Sequence, residues 1–180
     1  MRTSRILSRF LLPFVATVAI AGPAFAHVTL EVAEAPAEGF WKAVLRVPHG
    51  CEGAATTAVR VQIPEGLINT KPMPKAGWEV VLTEGDYAQT YDYYGTELTS
   101  GVKEIAWTGG NLPDNFYDEF VFRAKIAGLE PGTQVPILVV QECGPDKAER
   151  WIEIPAAGED PDSYEFPAPM LTITEPSGDH

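Results

Sequence analysis

No stretch of this sequence keeps an apolar period of 3.6 residues for the length of a helix, whereas short segments of alternating residues recur throughout. Phe120-Val121-Phe122-Arg123-Ala124-Lys125-Ile126 shows the pattern, with Arg123 and Lys125 set between apolar neighbours as a half-buried strand requires. Phe40 to Val47, Thr56 to Ile63, Trp78 to Thr83, Val102 to Trp107, Glu119 to Ile126, Val135 to Gln141 and Arg150 to Ile154 read as strands, and His27 to Val32 as a first one. Sixteen Pro and sixteen Gly break the chain between them. About seven or more short strands at this spacing predict an all-β fold, an antiparallel β-sandwich of immunoglobulin or fibronectin type. Trp41, Trp78 and Trp107 belong in its core, and alternation alone would put Trp151 there too. From Gly158 to His180 the chain is an acidic, Pro-rich tail expected on the surface, with Met170 to Ile173 as an edge strand.

The first 26 residues read differently. Arg2, Arg5 and Arg9 precede an apolar run from Phe10 to Ala21, and Ala24-Phe25-Ala26 offers the small-x-small site of a signal peptidase. Cleavage after Ala26 would make His27 the mature N-terminus. The run is shorter than the roughly 20 residues of a membrane span, so no membrane anchor is expected after cleavage. The expected product is periplasmic or secreted, with one domain over residues 27–157.

Thirteen basic and twenty-five acidic residues give a net charge of −12. Loss of the leader's three arginines takes the mature chain to roughly −15, which favours soluble cations. A nucleic-acid partner would need a basic stripe, and the basic residues form none. Cys51 and Cys143 are the only cysteines. In an exported chain a lone pair reads as one structural disulfide, rather than as thiolate metal ligands or a redox switch. Gly-x-Ser-x-Gly, Walker, Gly-x-Gly-x-x-Gly and His-Glu-x-x-His signatures are all absent.

Histidine is scarce: His27, His49 and His180. An N-terminal histidine presents an α-amine and an imidazole that can close a chelate ring on one metal. Both donors deprotonate near neutral pH, in general at about 7.7–8.0 and about 6.5. Such nitrogen donors suit Cu(II), which heads the divalent affinity series.

A wider set of residues then occurs in order: His27-Val28-Thr29-Leu30, Leu45-Arg46-Val47-Pro48, Thr56-Thr57, Val59-Arg60-Val61, Pro74-Lys75-Ala76-Gly77-Trp78, Ile105-Ala106-Trp107-Thr108-Gly109-Gly110, Pro113 through Phe120, Val140-Gln141 and Arg150-Trp151. Together these resemble the YcnI-like copper-binding domain family, exported β-sandwich proteins often encoded beside copper importers or chaperones. The resemblance implies a single-histidine brace: the mature N-terminal His with a glutamate and a tryptophan alongside. His27 matches the histidine and Trp151 the tryptophan. Where many relatives read Pro-Asn-Glu, this chain reads Pro48-His49-Gly50-Cys51-Glu52, so Glu52 is the nearest carboxylate. Glu142, near Cys143, is a further candidate, and His49 a substitute ligand.

The resemblance implies a non-enzymatic protein of copper homeostasis that holds or relays Cu(II), a metallochaperone whose partners are the ion and a copper importer or periplasmic chaperone. Two rivals stand beside it. A copper-dependent monooxygenase would need a second histidine, for which His49 is the candidate. A metal-free carbohydrate or adhesion module would use Tyr87, Tyr91, Tyr93 and Tyr94 as a stacking patch.

Overall fold

The computed structural model describes residues 27–156 and 158–178. The leader, with its cleavage site at Ala26, and His180 lie outside the described residues. Twelve strands run in chain order: β1 Thr29–Leu30, β2 Glu34–Pro36, β3 Phe40–Val47, β4 Thr56–Gln62, β5 Leu67–Pro72, β6 Glu79–Tyr93, β7 Thr96–Leu112, β8 Asp118–Ile126, β9 Gln134–Pro136, β10 Val139–Glu142, β11 Ala148–Trp151 and β12 Met170–Thr174. A single 3-10 turn, Pro161–Ser163, is the one helical element among the described residues. No helix of the described residues is long and apolar enough to cross a membrane.

A four-stranded sheet in the order β1-β3-β8-β5 faces a five-stranded sheet in the order β11-β10-β4-β7-β6. All pairings within these two sheets are antiparallel. The alternation seen in the sequence decides what faces inward. Trp41, Ala43, Leu45 and Val47 of β3 and Phe120, Phe122, Ala124 and Ile126 of β8 form one core wall. Val59, Val61, Ile105, Trp107, Val139 and Trp151 form the other. The rings of Phe122 and Trp41 meet edge to face at 5.8 Å, and those of Phe120 and Trp107 at 5.5 Å, the geometry that aromatic quadrupoles prefer. Trp78 is only half-buried, resting edge-on against Phe120 at 4.9 Å.

Four segments depart from the sequence reading. Val135 to Gln141 is not one strand. It divides around Pro136, which has no N–H to extend a ladder, so β9 joins a small sheet while β10 joins the five-stranded one. Met170 to Ile173 does form a strand, but it lies between β2 and β9 rather than at an edge. Leu171 and Ile173 are buried in the main core, so this part of the tail is integral to the sandwich. The segments at Trp78 and Val102 extend into a long β6–β7 hairpin whose tip, Tyr94-Gly95, takes positive φ at both residues, as tight hairpins require.

Candidate metal centre

Strand β11 fixes the first of the site residues. Alternation puts Glu149 and Trp151 on one face of it, and Trp151 is buried. The indole Nε1 donates to Gln141 Oε1 on the neighbouring strand at 3.3 Å. Gln141 is fully buried, and its Nε2 donates to the His49 carbonyl at 2.6 Å and to Thr56 Oγ1 at 2.7 Å. A side-chain amide offers two N–H donors beside an acceptor oxygen, so one side chain sets the tilt of Trp151 and ties down the loop after β3. The Trp151 ring then meets two others, His27 at 5.7 Å with planes tilted by 58° and Phe166 edge-on at 5.3 Å.

Cys51 and Cys143 form a disulfide, with Cα atoms 5.8 Å apart across 92 residues of chain. Cys51 and Ala54 close a tight turn through paired backbone hydrogen bonds, with Glu52 and Gly53 both at positive φ. At Gly50, a Cβ would stand 1.9 Å from the Ala54 carbonyl oxygen, so this loop accepts no side chain there. Glu52, two residues further on, has a side chain that is 81% exposed and pairs with Lys147 at 3.1 Å. Glu52, His49, Glu149 and Glu165 line a hollow on the disulfide side of Trp151. Within it, Glu149 Oε2 is buried without a hydrogen-bond partner. Burial raises the Glu149 carboxyl above its usual range, with Glu52 and Asp114 adding to the rise and His49 opposing it.

Glu142 is not brought to this site. It follows the inward-facing Gln141 on β10 and so projects from the other face of the sheet, where Arg60 Nε donates to it at 2.7 Å. His49 does reach the hollow beside Trp151, with its Nδ1 against the Gly50 carbonyl.

His27 lines a different hollow, together with Pro161, Asp162, Pro167 and Ala168. Its side chain is only 13% exposed, and Nδ1 lies 3.7 Å from Asp162 Oδ1. The C-terminal segment that carries Asp162 is anchored. Phe166 N–H donates to Glu153 Oε2 at 2.6 Å, Glu153 N–H to the Phe166 carbonyl at 3.1 Å, and Ala168 N–H to the Glu153 carbonyl at 2.7 Å. Sequence reading passed over both Asp162 and Glu149. Alternation from Trp151 could have found Glu149, but no periodic signal marks Asp162.

Among the described residues, no group of three or more His, Cys, Asp or Glu side chains is placed to hold a metal. A metal held at His27 would therefore need the α-amine among its donors, and that amine would exist only once the bond to residue 26 is cut. The donor chemistry fits Cu(II): one imidazole with a carboxylate oxygen 3.7 Å from its Nδ1, beside the buried Trp151 ring.

The two facing antiparallel sheets define an immunoglobulin-like β-sandwich, with a disulfide from the β3–β4 loop to the end of β10 and a histidine and a tryptophan juxtaposed at one end. A family model described as a domain of unknown function, DUF1775, matches residues 27–173. The chain belongs to this family, the YcnI-like domains. The chain is also similar to a crystal structure of an uncharacterized protein from Nocardia farcinica with an immunoglobulin-like fold. That likeness has 27% identity and a TM-score of 0.60, covering 82% of this chain and 98% of the other. Among curated proteins, none matches this chain.

Proposed function

We propose that this chain is an exported, non-enzymatic protein that holds Cu(II) as cargo at His27 and passes it on outside the cytoplasm. The observation that carries the reading is the contact of the His27 ring with the buried Trp151, held in place by Gln141. When bound, Cu(II) would take the α-amine and imidazole of mature His27, and Trp151 would shield one side of the ion. Membership in the YcnI-like family supports the choice of metal. The disulfide suits an oxidising compartment, and the excess of acidic residues suits a protein that attracts cations. A copper importer or periplasmic chaperone would be the natural partner.

Two further observations weigh against the rivals. A monooxygenase brace needs a second imidazole beside the first, and His49 lines the other hollow. A sugar platform needs exposed faces, yet Tyr91 is buried and Tyr87 and Tyr93 pack with it on Ile68 and Ala127. The Tyr87–Tyr91 and Tyr93–Tyr94 ring planes stand at 88° and 77°, leaving only Tyr94 broadly open at 74% exposure.

Titration of mature protein with a Cu(II) salt against a chromophoric chelator tests the reading. Wild type should bind one ion per chain and His27→Ala should bind almost none. Trp151→Phe should keep the stoichiometry and alter the Cu(II) spectrum. Copper binding by His27→Ala at wild-type strength would refute it.

A further inference from the structure

We infer that Asp162, carried by the C-terminal segment, supplies the carboxylate ligand of the Cu(II) site, rather than Glu52, Glu142, or Glu149. The inference rests on the copper reading above and names its anionic donor. An N-terminal histidine chelates through its amine and Nδ1, because those two atoms close a six-membered ring through Cα, Cβ and Cγ. Nε2 stands on the far side of the imidazole and cannot join that ring. In the structure Nδ1 faces Asp162, while Nε2 is buried.

The spacing is suitable. Two ligands with bonds of about 2 Å lie about 2.8 Å apart at right angles on a metal and about 4 Å apart when opposite. The 3.7 Å between His27 Nδ1 and Asp162 Oδ1 falls within that interval. A metal placed between them would take one imidazole nitrogen and one carboxylate oxygen, a donor set that Cu(II) favours. The carboxylate would also offset part of the charge that two neutral nitrogens leave on the ion.

The other three carboxylates are placed elsewhere. Glu142 is held by Arg60 on the outer sheet face, and Glu52 by Lys147 at the rim. Glu149 belongs to the hollow beyond Trp151, where its charged neighbours are His49, Glu52 and Asp114. Asp162 is placed by its backbone instead. Asp160 Oδ1 accepts from the Asp162 N–H at 3.0 Å, and Pro161 fixes the turn between them. Its side chain is 86% exposed, so the ligand can swing away without disturbing the core. A ligand on the outer wall gives the cargo a side from which to leave.

The experiment uses mature protein beginning at His27, a Cu(II) salt, competition against a chromophoric chelator, and electron paramagnetic resonance. Asp162→Asn should weaken Cu(II) by about ten-fold or more and change the copper spectrum, while the metal-free protein melts at the wild-type temperature. Asp162→Glu should retain more affinity than Asp162→Asn, and Glu52→Gln, Glu142→Gln and Glu149→Gln should each stay within about two-fold of wild type. Equal losses in Asp162→Asn and Asp162→Glu would overturn ligation by the carboxylate. Wild-type affinity in Asp162→Asn, with binding lost in His27→Ala, would overturn the role of Asp162 and leave the His27 site standing. Wild-type affinity in His27→Ala would instead overturn the copper reading itself.

Discussion

Replacing Gln141 with Met keeps the volume and length of the side chain but removes its three hydrogen bonds. Those bonds serve the Trp151 indole N–H, the Thr56 hydroxyl and the His49 carbonyl. Thr56 and Trp151 are buried, so their polar groups have little recourse to water once the amide is gone. Leaving a buried group unsatisfied costs about 1–3 kcal/mol, and the half-buried His49 carbonyl sits at the low end because water can reach it. About 1 kcal/mol for each of the three gives a destabilisation of about 3 kcal/mol, partly offset by the apolar gain of Met. For a domain of this size that corresponds to a fall in melting temperature of about 6–12 °C. Differential scanning calorimetry of the metal-free protein measures it directly. The freed indole should also shift its fluorescence and weaken the copper spectrum, because Trp151 loses the contact that sets its tilt. A fall of less than about 2 °C would refute the argument that Gln141 organises this end of the sandwich.

The remaining predictions concern the frame around the site. Cys143→Ser should destabilise the protein by about 2–4 kcal/mol, read from urea unfolding, and native protein should give no thiol reaction with a disulfide reagent. Glu65 ties the β6–β7 hairpin to the loop before β5 through Tyr91 OH, the Ala88 N–H and Lys103. Burial pushes its carboxyl up, but those three hydrogen bonds outweigh it and hold the group below its usual 4.5. Its contribution is therefore present above about pH 4.5 and lost as pH falls through the lower folded value. Glu65→Gln should lower the melting temperature at pH 7 and flatten its decline between about pH 5 and 3, and an unchanged slope would contradict the assignment.

The sandwich was readable because its central strands keep strict alternation: Trp41, Ala43, Leu45 and Val47 on β3, then Phe120, Phe122, Ala124 and Ile126 on β8. Strand β5 was hidden because Asn69 takes a positive φ and the pairing with β8 slips between Ile68 and Lys71, which breaks the period. The tip of the β6–β7 hairpin was hidden for another reason: many of its side chains face solvent on both sides, so no apolar alternation marks it. At the site, His27 and Trp151 could be named from the resemblance, and the structure brings their rings together. Glu142 was misplaced because nearness in sequence to Cys143 said nothing of parity. Its neighbour Gln141 faces inward, which turns Glu142 outward. Asp162 was out of reach because its position depends on the Glu153–Phe166 hydrogen bonds, contacts that no local pattern encodes.

The central claim is that the α-amine and the imidazole of His27 act together on one Cu(II) ion. Electron paramagnetic resonance of Cu(II) on protein beginning at His27, compared with the same protein retaining Ala26, tests it most directly. The amine is then converted to an amide while every side chain of the site is kept. The account predicts a tetragonal spectrum with nitrogen couplings at one copper per chain for the first, and a different spectrum with weaker binding for the second. The same spectrum from both proteins would contradict it.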